Sequence, residues 1–282
     1  MAQVGSRAAG SAPAQAGEEE VRRHRLSTRI WHWVNVVAFF VMLMSGLMIF
    51  NAHPRLYWGQ YGANPDPAWL AIGAEDGRGY LRIGEARIDT TGVLGVQVVD
   101  GQPLRRAFPG WATIPSSYDL ALSRKWHLTF AWVFALGIAG YLAASLLNRH
   151  LWRDLVPRRR ELAPSSLWRD VVHHLTLQFP KGEAARHYNT LQKLAYLGVL
   201  VVLIPTMVLS GLTMSPGMDA TWPWLLDLFG GRQSARSVHF IAAWALVGFL
   251  VVHLLMVVLA GPVNEIRSMI TGRYRLPPED RR

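Results

Sequence analysis

Apolar residues along this 282-residue chain are gathered into four blocks instead of being scattered. A membrane-spanning helix needs roughly 20 mostly apolar residues. Four windows meet that need, at about 28–50, 124–147, 189–212 and 237–260. Their few charges, Arg29, Arg124, Lys125 and Lys193, sit near the window ends. The segment between the first two windows, 51–123, is rich in Gly and Pro. It alternates in strand-like fashion over Tyr80–Ile88 and Gly92–Val99, followed by an Asp100-Gly101 turn. That pattern predicts a small β-hairpin. Trp111 to Tyr118 is expected at a membrane interface, the depth that Trp and Tyr favour. The predicted fold class is therefore all-α and integral to a membrane, a four-helix bundle over 28–260 with a long loop between helices 1 and 2.

Lys and Arg set the orientation, because connections on the cytoplasmic side carry an excess of them. The 148–188 connection holds eight, among them Arg158, Arg159 and Arg160. The ends of the chain add Arg22, Arg23 and Arg25 on one side and Arg273, Arg275, Arg281 and Arg282 on the other. In a four-span protein all three segments share one face. That face is predicted to be cytoplasmic, which leaves 51–123 and 213–235 on the outer face. Residues 1–27 have no apolar run and are expected to be a disordered cytoplasmic tail, not a cleavable signal; 261–282 is expected to be a second tail.

Composition narrows the chemistry. The chain is 51% hydrophobic and 17% charged, against about a quarter charged in soluble domains. Its net charge of +10 lies beside the apolar blocks, which points to the lipid surface and topology and not to nucleic acid. Cysteine is absent, which excludes iron–sulfur clusters, thioether-linked haem and disulfides. The ten His and nine Met remain as soft or imidazole donors.

Ionisable groups inside spans are costly and usually functional. Four His fall inside the windows: His32, His127, His239 and His253. His239 and His253 share the last window 14 residues apart. That spacing returns to within roughly 40° of one helix face and separates the rings by roughly 21 Å. His127 matches His239 in depth near the outer side, and His32 matches His253 near the cytoplasmic side. Two b haems, each held between two His, fit this arrangement, and bis-His ligation suits electron transfer. A single bare metal does not fit ligands that far apart. The other reading of a membrane His is a proton relay or a packed hydrogen-bonding residue. His24, His53, His150, His173, His174 and His187 read as solvated, with His53 and His150 as substitutes at helix ends. Arg124, Lys125 and Arg236 are either partners for haem propionates or interfacial anchors. The first window ends MLMSGLMI and the third MVLSGLTM. Their Ser-Gly pairs allow close approach of either a neighbouring helix or a flat ligand. Pro205 should kink the third span.

These residues resemble a known group. His32 within IWHWVN, His127 within RKWHL and the His239/His253 pair resemble the bacterial di-haem cytochrome b family. That family is related to cytochrome b(561) and includes membrane subunits of formate dehydrogenase, nickel–iron hydrogenase and thiosulfate reductase. The resemblance covers about 25–275 and implies the same two pairs as axial ligands. RHYNTLQKLAY resembles a family signature whose Asn and Gln approach a quinone, which makes Asn189 and Gln192 candidate quinone contacts. Read bottom-up, the same two residues suit a helix cap. GWATIPSSYDLA, before His127, resembles the thiosulfate reductase branch. That branch implies a periplasmic, molybdopterin-dependent oxidoreductase partner and electron exchange with quinone as diffusible substrate. Two other readings stay open: a stand-alone superoxide:quinone oxidoreductase, and a haem-free anchor or transporter.

Overall fold

The computed structural model describes residues 20–99, 101–148, 156–176 and 189–276. In chain order, β1 (Glu20–Arg22) leads into α1 (Leu26–Asn51). Six strands follow: β2 (Arg55–Leu56), β3 (Leu70–Glu75), β4 (Arg78–Ile83), β5 (Ala86–Asp89), β6 (Gly95–Val99) and β7 (Gln102–Arg106). Then come α2 (Leu120–Leu147), α3 (Pro164–Leu175), α4 (Thr190–Leu197) and α5 (Ile204–Thr213). The short α6 (Pro216–Thr221) and α7 (Pro223–Leu228) precede α8 (Arg232–Ala260), α9 (Pro262–Thr271) and β8 (Arg273–Arg275).

Four helical stretches are long and apolar enough to cross a membrane: Leu26–Asn51, Leu120–Leu147, Thr190–Thr213 and Arg232–Ala260. α1 packs along α2, and the third span packs along α8. Much of their apolar surface faces outward. On α8, Val251, Val252, Leu254, Leu255 and Val258 are all exposed. Apolar area in water costs roughly 25 cal/mol per Å², so a belt of this kind is stable only where lipid surrounds it. The chain is a multi-pass membrane protein.

Local chemistry explains the span ends. α2 starts four residues before the predicted window because Asp119 caps it, its Oδ1 accepting from the Leu122 N–H at 2.9 Å. α8 starts five residues early for a different reason. The Gly59 carbonyl accepts the Gln233 and Ser234 N–H groups at 3.1 Å each, so the first turn of α8 is capped from the loop after α1. The third span is not one regular helix. Between α4 and α5 lies a π-helical stretch, Gly198–Leu203, directly ahead of Pro205. Proline donates no N–H and its ring crowds the carbonyl one turn back; a wide turn relieves both.

The segment between α1 and α2 holds more strand than a single hairpin. The stretch expected as one strand over Tyr80–Ile88 folds back at Gly84, so that β4 and β5 pair, within an antiparallel sheet of order β2-β3-β4-β5. β6 and β7 form a separate hairpin across Gly101. The two sheets touch at glycine: a Cβ on Gly79 would sit 2.0 Å from the Leu94 carbonyl oxygen. Their core of Phe50, Leu56, Leu70, Ile72, Ala107 and Phe108 reaches down onto α1 and Phe240 of α8. Arg106 staples the following loop. Its Nη1 donates to the Ser116 carbonyl at 2.7 Å and its Nη2 to Thr113 Oγ1 at 2.7 Å, while burial pulls its pKa down. The expected interfacial stretch divides: Trp111 and Tyr118 are exposed, Thr113 is buried, and the Ile114 N–H donates to the Met44 carbonyl of α1.

At the other end of the bundle, residues 20–25 correct the expected unstructured tail. β1 pairs with β8, Glu20 opposite Arg275. Glu20 also pairs with Arg267, which holds its carboxyl below the usual range. Residues 1–19 lie outside the described residues. The C-terminal segment is likewise built, with Trp33 Nε1 donating to the Met269 carbonyl at 3.2 Å. This end of the bundle is the terminal end, and the strand-bearing one is the β end.

Candidate functional site

α8 runs unbroken past both His239 and His253, so one helix supplies an imidazole at each end. The partners come from two other helices. His127 of α2 faces His239 with ring centres 6.3 Å apart and planes at 62°. His32 of α1 faces His253 with ring centres 6.4 Å apart and planes at 60°. The first pair lies at the β end and the second at the terminal end.

The β-end rings are held from behind. His127 Nδ1 lies 3.0 Å from the Met42 carbonyl and 3.1 Å from Ser45 Oγ. His239 Nδ1 lies 3.0 Å from Ser210 Oγ and also bonds the Met207 carbonyl. The terminal-end rings rest on aromatics. His32 sits edge-on to Trp33 at 5.0 Å, and His253 stacks on Phe249 at 6.0 Å. His32 Nδ1 is buried and has no hydrogen-bond partner among the described residues.

The residues fit haem on three counts. An imidazole nitrogen sits about 2.0 Å from a first-row metal, so two rings sharing one metal have centres roughly 6 Å apart. Each pair offers only two donors, and the described residues contain no group of three or more His or carboxylates able to hold a bare ion; a haem would bring its remaining donors with it. At the β end each Nδ1 meets carbonyl and hydroxyl oxygen, which leaves Nε2 as the free donor.

The other candidates divide. Asn189 and Gln192 form a reciprocal cap at the start of α4: Asn189 Oδ1 accepts from the Gln192 N–H at 2.9 Å, and Gln192 Oε1 accepts from the Asn189 N–H at 3.3 Å. Their side-chain oxygens therefore serve the helix. Arg236 holds the loop after α1, donating to the Arg55 carbonyl at 2.8 Å and to the His53 carbonyl. Arg124 and Lys125 are exposed. His53 is not the solvated residue expected: it stacks on Tyr57 at 5.7 Å, its Nε2 is buried, and burial lowers its pKa, with Arg236 and Arg55 adding to the effect. His150 and His187 lie outside the described residues. The repeated Met-x-x-Ser-Gly spacing marks Ser45-Gly46 and Ser210-Gly211 as close-approach sites in the sequence, and the structure brings His127 and His239 against them.

Known proteins similar to the chain are subunits of oxidoreductases by name. The chain is 27% identical to a protein of Azospira oryzae named as a subunit of protein-methionine-sulfoxide reductase, YedZ1, over 86% of this chain and 93% of that relative. It is 28% identical to a protein of Azotobacter vinelandii named as the B-type cytochrome subunit of a Ni/Fe hydrogenase, over 94% of this chain and 95% of that relative. A protein of Cupriavidus necator with the same name is 21% identical over 88% of this chain. No solved structure matches the chain significantly. The family model for prokaryotic cytochrome b561 matches residues 23–272. Four apolar spans are what such a match leads one to expect, and the chain belongs to this family of b-haem membrane proteins of electron transport.

Proposed function

We propose that the chain is a di-haem electron-transfer subunit linking an oxidoreductase partner to the membrane quinone pool. One b haem is held by His127 and His239, the other by His32 and His253. The observation that carries this is the pair of imidazole couples, with ring centres 6.3 and 6.4 Å apart, at opposite ends of one bundle. Bound haem supplies one-electron transfer; the chain supplies everything else. The four imidazoles fix where each iron sits, α8 sets the spacing of the two levels at roughly 21 Å, and the apolar spans exclude water. With two imidazoles per iron no position is left for a substrate, which favours electron transfer over catalysis at the metal.

Orientation follows from the arginines. The terminal end, with Arg22, Arg23, Arg273 and Arg275, faces the cytoplasm of a bacterial inner membrane. The β end then faces the periplasm and carries the docking surface for the partner, for which we favour a molybdopterin-dependent oxidoreductase subunit. The resemblance to a reductase subunit and to hydrogenase cytochrome subunits supports a partner of this general kind. Quinone approaches the terminal end near Asn189 and Gln192; with both side-chain oxygens spent on the cap, the Gln192 amide nitrogen is the group we assign to a quinone oxygen. A stand-alone superoxide:quinone oxidoreductase needs the β-end site open to a small anion. The sheet core seated on α1 and α8 weighs against it.

The purified chain tests this directly. A dithionite-reduced minus oxidised spectrum with pyridine haemochrome quantitation should give two b haems per chain, and a quinol should reduce them. A single haem removes one His pair from the assignment; none, after haem-supplemented expression, overturns it.

A further inference from the structure

The end of α1 and the body of α5 share a five-residue pattern, Met42–Gly46 and Met207–Gly211, each Met-x-x-Ser-Gly. Each receives an imidazole from a neighbouring helix: α1 takes His127 of α2, and α5 takes His239 of α8. The contacts match closely, with Ser Oγ 3.1 and 3.0 Å from Nδ1 and the Met carbonyl a second partner in both. The glycines match as well. A Cβ added to Gly46 would lie 3.3 Å from His127 Cε1, and one added to Gly211 would lie 3.3 Å from His239 Cε1. Both serines are fully buried.

The serine hydroxyls settle which ring nitrogen carries the proton. Ser45 Oγ donates to the Val41 carbonyl at 2.6 Å, and Ser210 Oγ to the Thr206 carbonyl at 2.5 Å. A hydroxyl has one hydrogen, so each oxygen turns a lone pair toward the ring. The Met carbonyls can only accept. Two acceptors around one nitrogen require an N–H there, which makes Nδ1 the protonated nitrogen and leaves the Nε2 lone pair for a metal. A donated Nδ1–H bond fixes the ring and raises its basicity as a ligand. A more basic ligand favours the ferric form and lowers the reduction potential.

We infer that these two Met-x-x-Ser-Gly segments are seats that position His127 and His239, orient their Nε2 lone pairs, and lower the potential of the β-end haem alone. The inference rests on the haem assignment proposed above. Ser45 and Ser210 are positioning residues that act through the imidazoles. They lie 165 residues apart in sequence, on helices that supply neither ligand of that site, yet they govern the same haem.

The test is a potentiometric titration, with electron paramagnetic resonance, of full-length Ser45→Ala, Ser210→Ala and the double variant. Each single variant should keep two haems and raise the midpoint of one. The haem that shifts should be the same in both, the one missing from His239→Ala and present in His253→Ala. The double variant should shift it further, by about tenfold in its reduced-to-oxidised ratio at fixed potential, or 59 mV for one electron. If alanine at either site empties the haem pocket, Ser45→Cys and Ser210→Cys keep the side-chain size with a weaker acceptor and should give a smaller shift of the same sign. Unchanged midpoints in a double variant that retains both haems overturn the seats, as do equal shifts of both haems. Retention of two haems in His239→Ala overturns the ligand assignment instead, whatever the serines do.

Discussion

The His127/His239 pair and the His32/His253 pair hold their rings at nearly the same separation, 6.3 and 6.4 Å, in surroundings that differ in kind. At the β end both Nδ1 atoms bond to oxygen, and a glycine lies under each ring. At the terminal end the rings rest against Trp33 and Phe249. There His32 Nδ1, Arg29 Nε and Asn35 Oδ1, all on the first three turns of α1, are buried without hydrogen-bond partners among the described residues. A buried polar atom left in that state costs about 1–3 kcal/mol. The difference teaches that pairing two imidazoles does not require bracing them. One end of this bundle holds its rings by hydrogen bonds, and the other by aromatic contact, with polar atoms still to be satisfied.

The largest test of that comparison removes a ring from each end. His239→Ala and His253→Ala should each lower the haem content from two to one, and the two difference spectra should not coincide. Heating the wild-type chain should then release the terminal-end haem before the β-end haem, read as loss of the component that is absent in His253→Ala. Gly46→Ala and Gly211→Ala come next. The added methyl presses on Cε1 at 3.3 Å, so the ring must shift by a few tenths of an ångström. Both variants should lose β-end haem several-fold, by pyridine haemochrome, and leave the terminal end intact.

Smaller effects lie outside the pairs. Arg236→Ala strands the carbonyls of His53 and Arg55 and should lower stability by about 1–3 kcal/mol, seen as an earlier thermal transition with both haems still bound. At the terminal end, Glu161 pairs with Lys193 at 2.9 Å and ties the start of α3 to α4. Burial pushes the Glu161 carboxyl up, but Lys193 and the Arg158 N–H outweigh it and hold the pKa down. A depressed carboxyl contributes stability above its unfolded pKa and loses it as pH falls through the folded one. Glu161→Gln should therefore cost at most about 1 kcal/mol near neutral pH, and nothing once acid protonates the wild-type carboxyl, as a melting series from neutral to acid pH would show.

Much of this frame was legible in the sequence, for a physical reason. Depth along a helix is linear in residue number, so counting from the ends of the apolar blocks ranks His32, His127, His239 and His253 by level. What lies across from a residue is not linear in sequence. Ser45-Gly46 was visible as a close-approach motif, yet nothing within α1 says that the approaching group is a ring from α2. Asn189 and Gln192 could be read as capping or as quinone contacts, and the reciprocal cap became visible only with the backbone geometry. The strands failed differently. β4 and β5 are short, and the fold-back at Gly84 breaks what reads as one alternating run. His53 looked solvated because the arginine that grips its carbonyl lies 183 residues away.

The π-helical stretch ahead of Pro205 has a consequence for the seat that follows it. Relative to an α-helix, a wide turn of this kind takes up one extra residue and so sets everything downstream back by about 100° in phase. Ser210 and Gly211 meet His239 with that offset included. Were Gly198–Leu203 regular α-helix with the same residues, Ser210 and Gly211 would be turned about 100° away from His239; deleting one residue there, such as Val201, instead lets the stretch close into α-helix with both still facing the ring. The angular setting of the His239 seat is thus written several residues upstream of it, in the pitch of the helix and not in any contact with the ring.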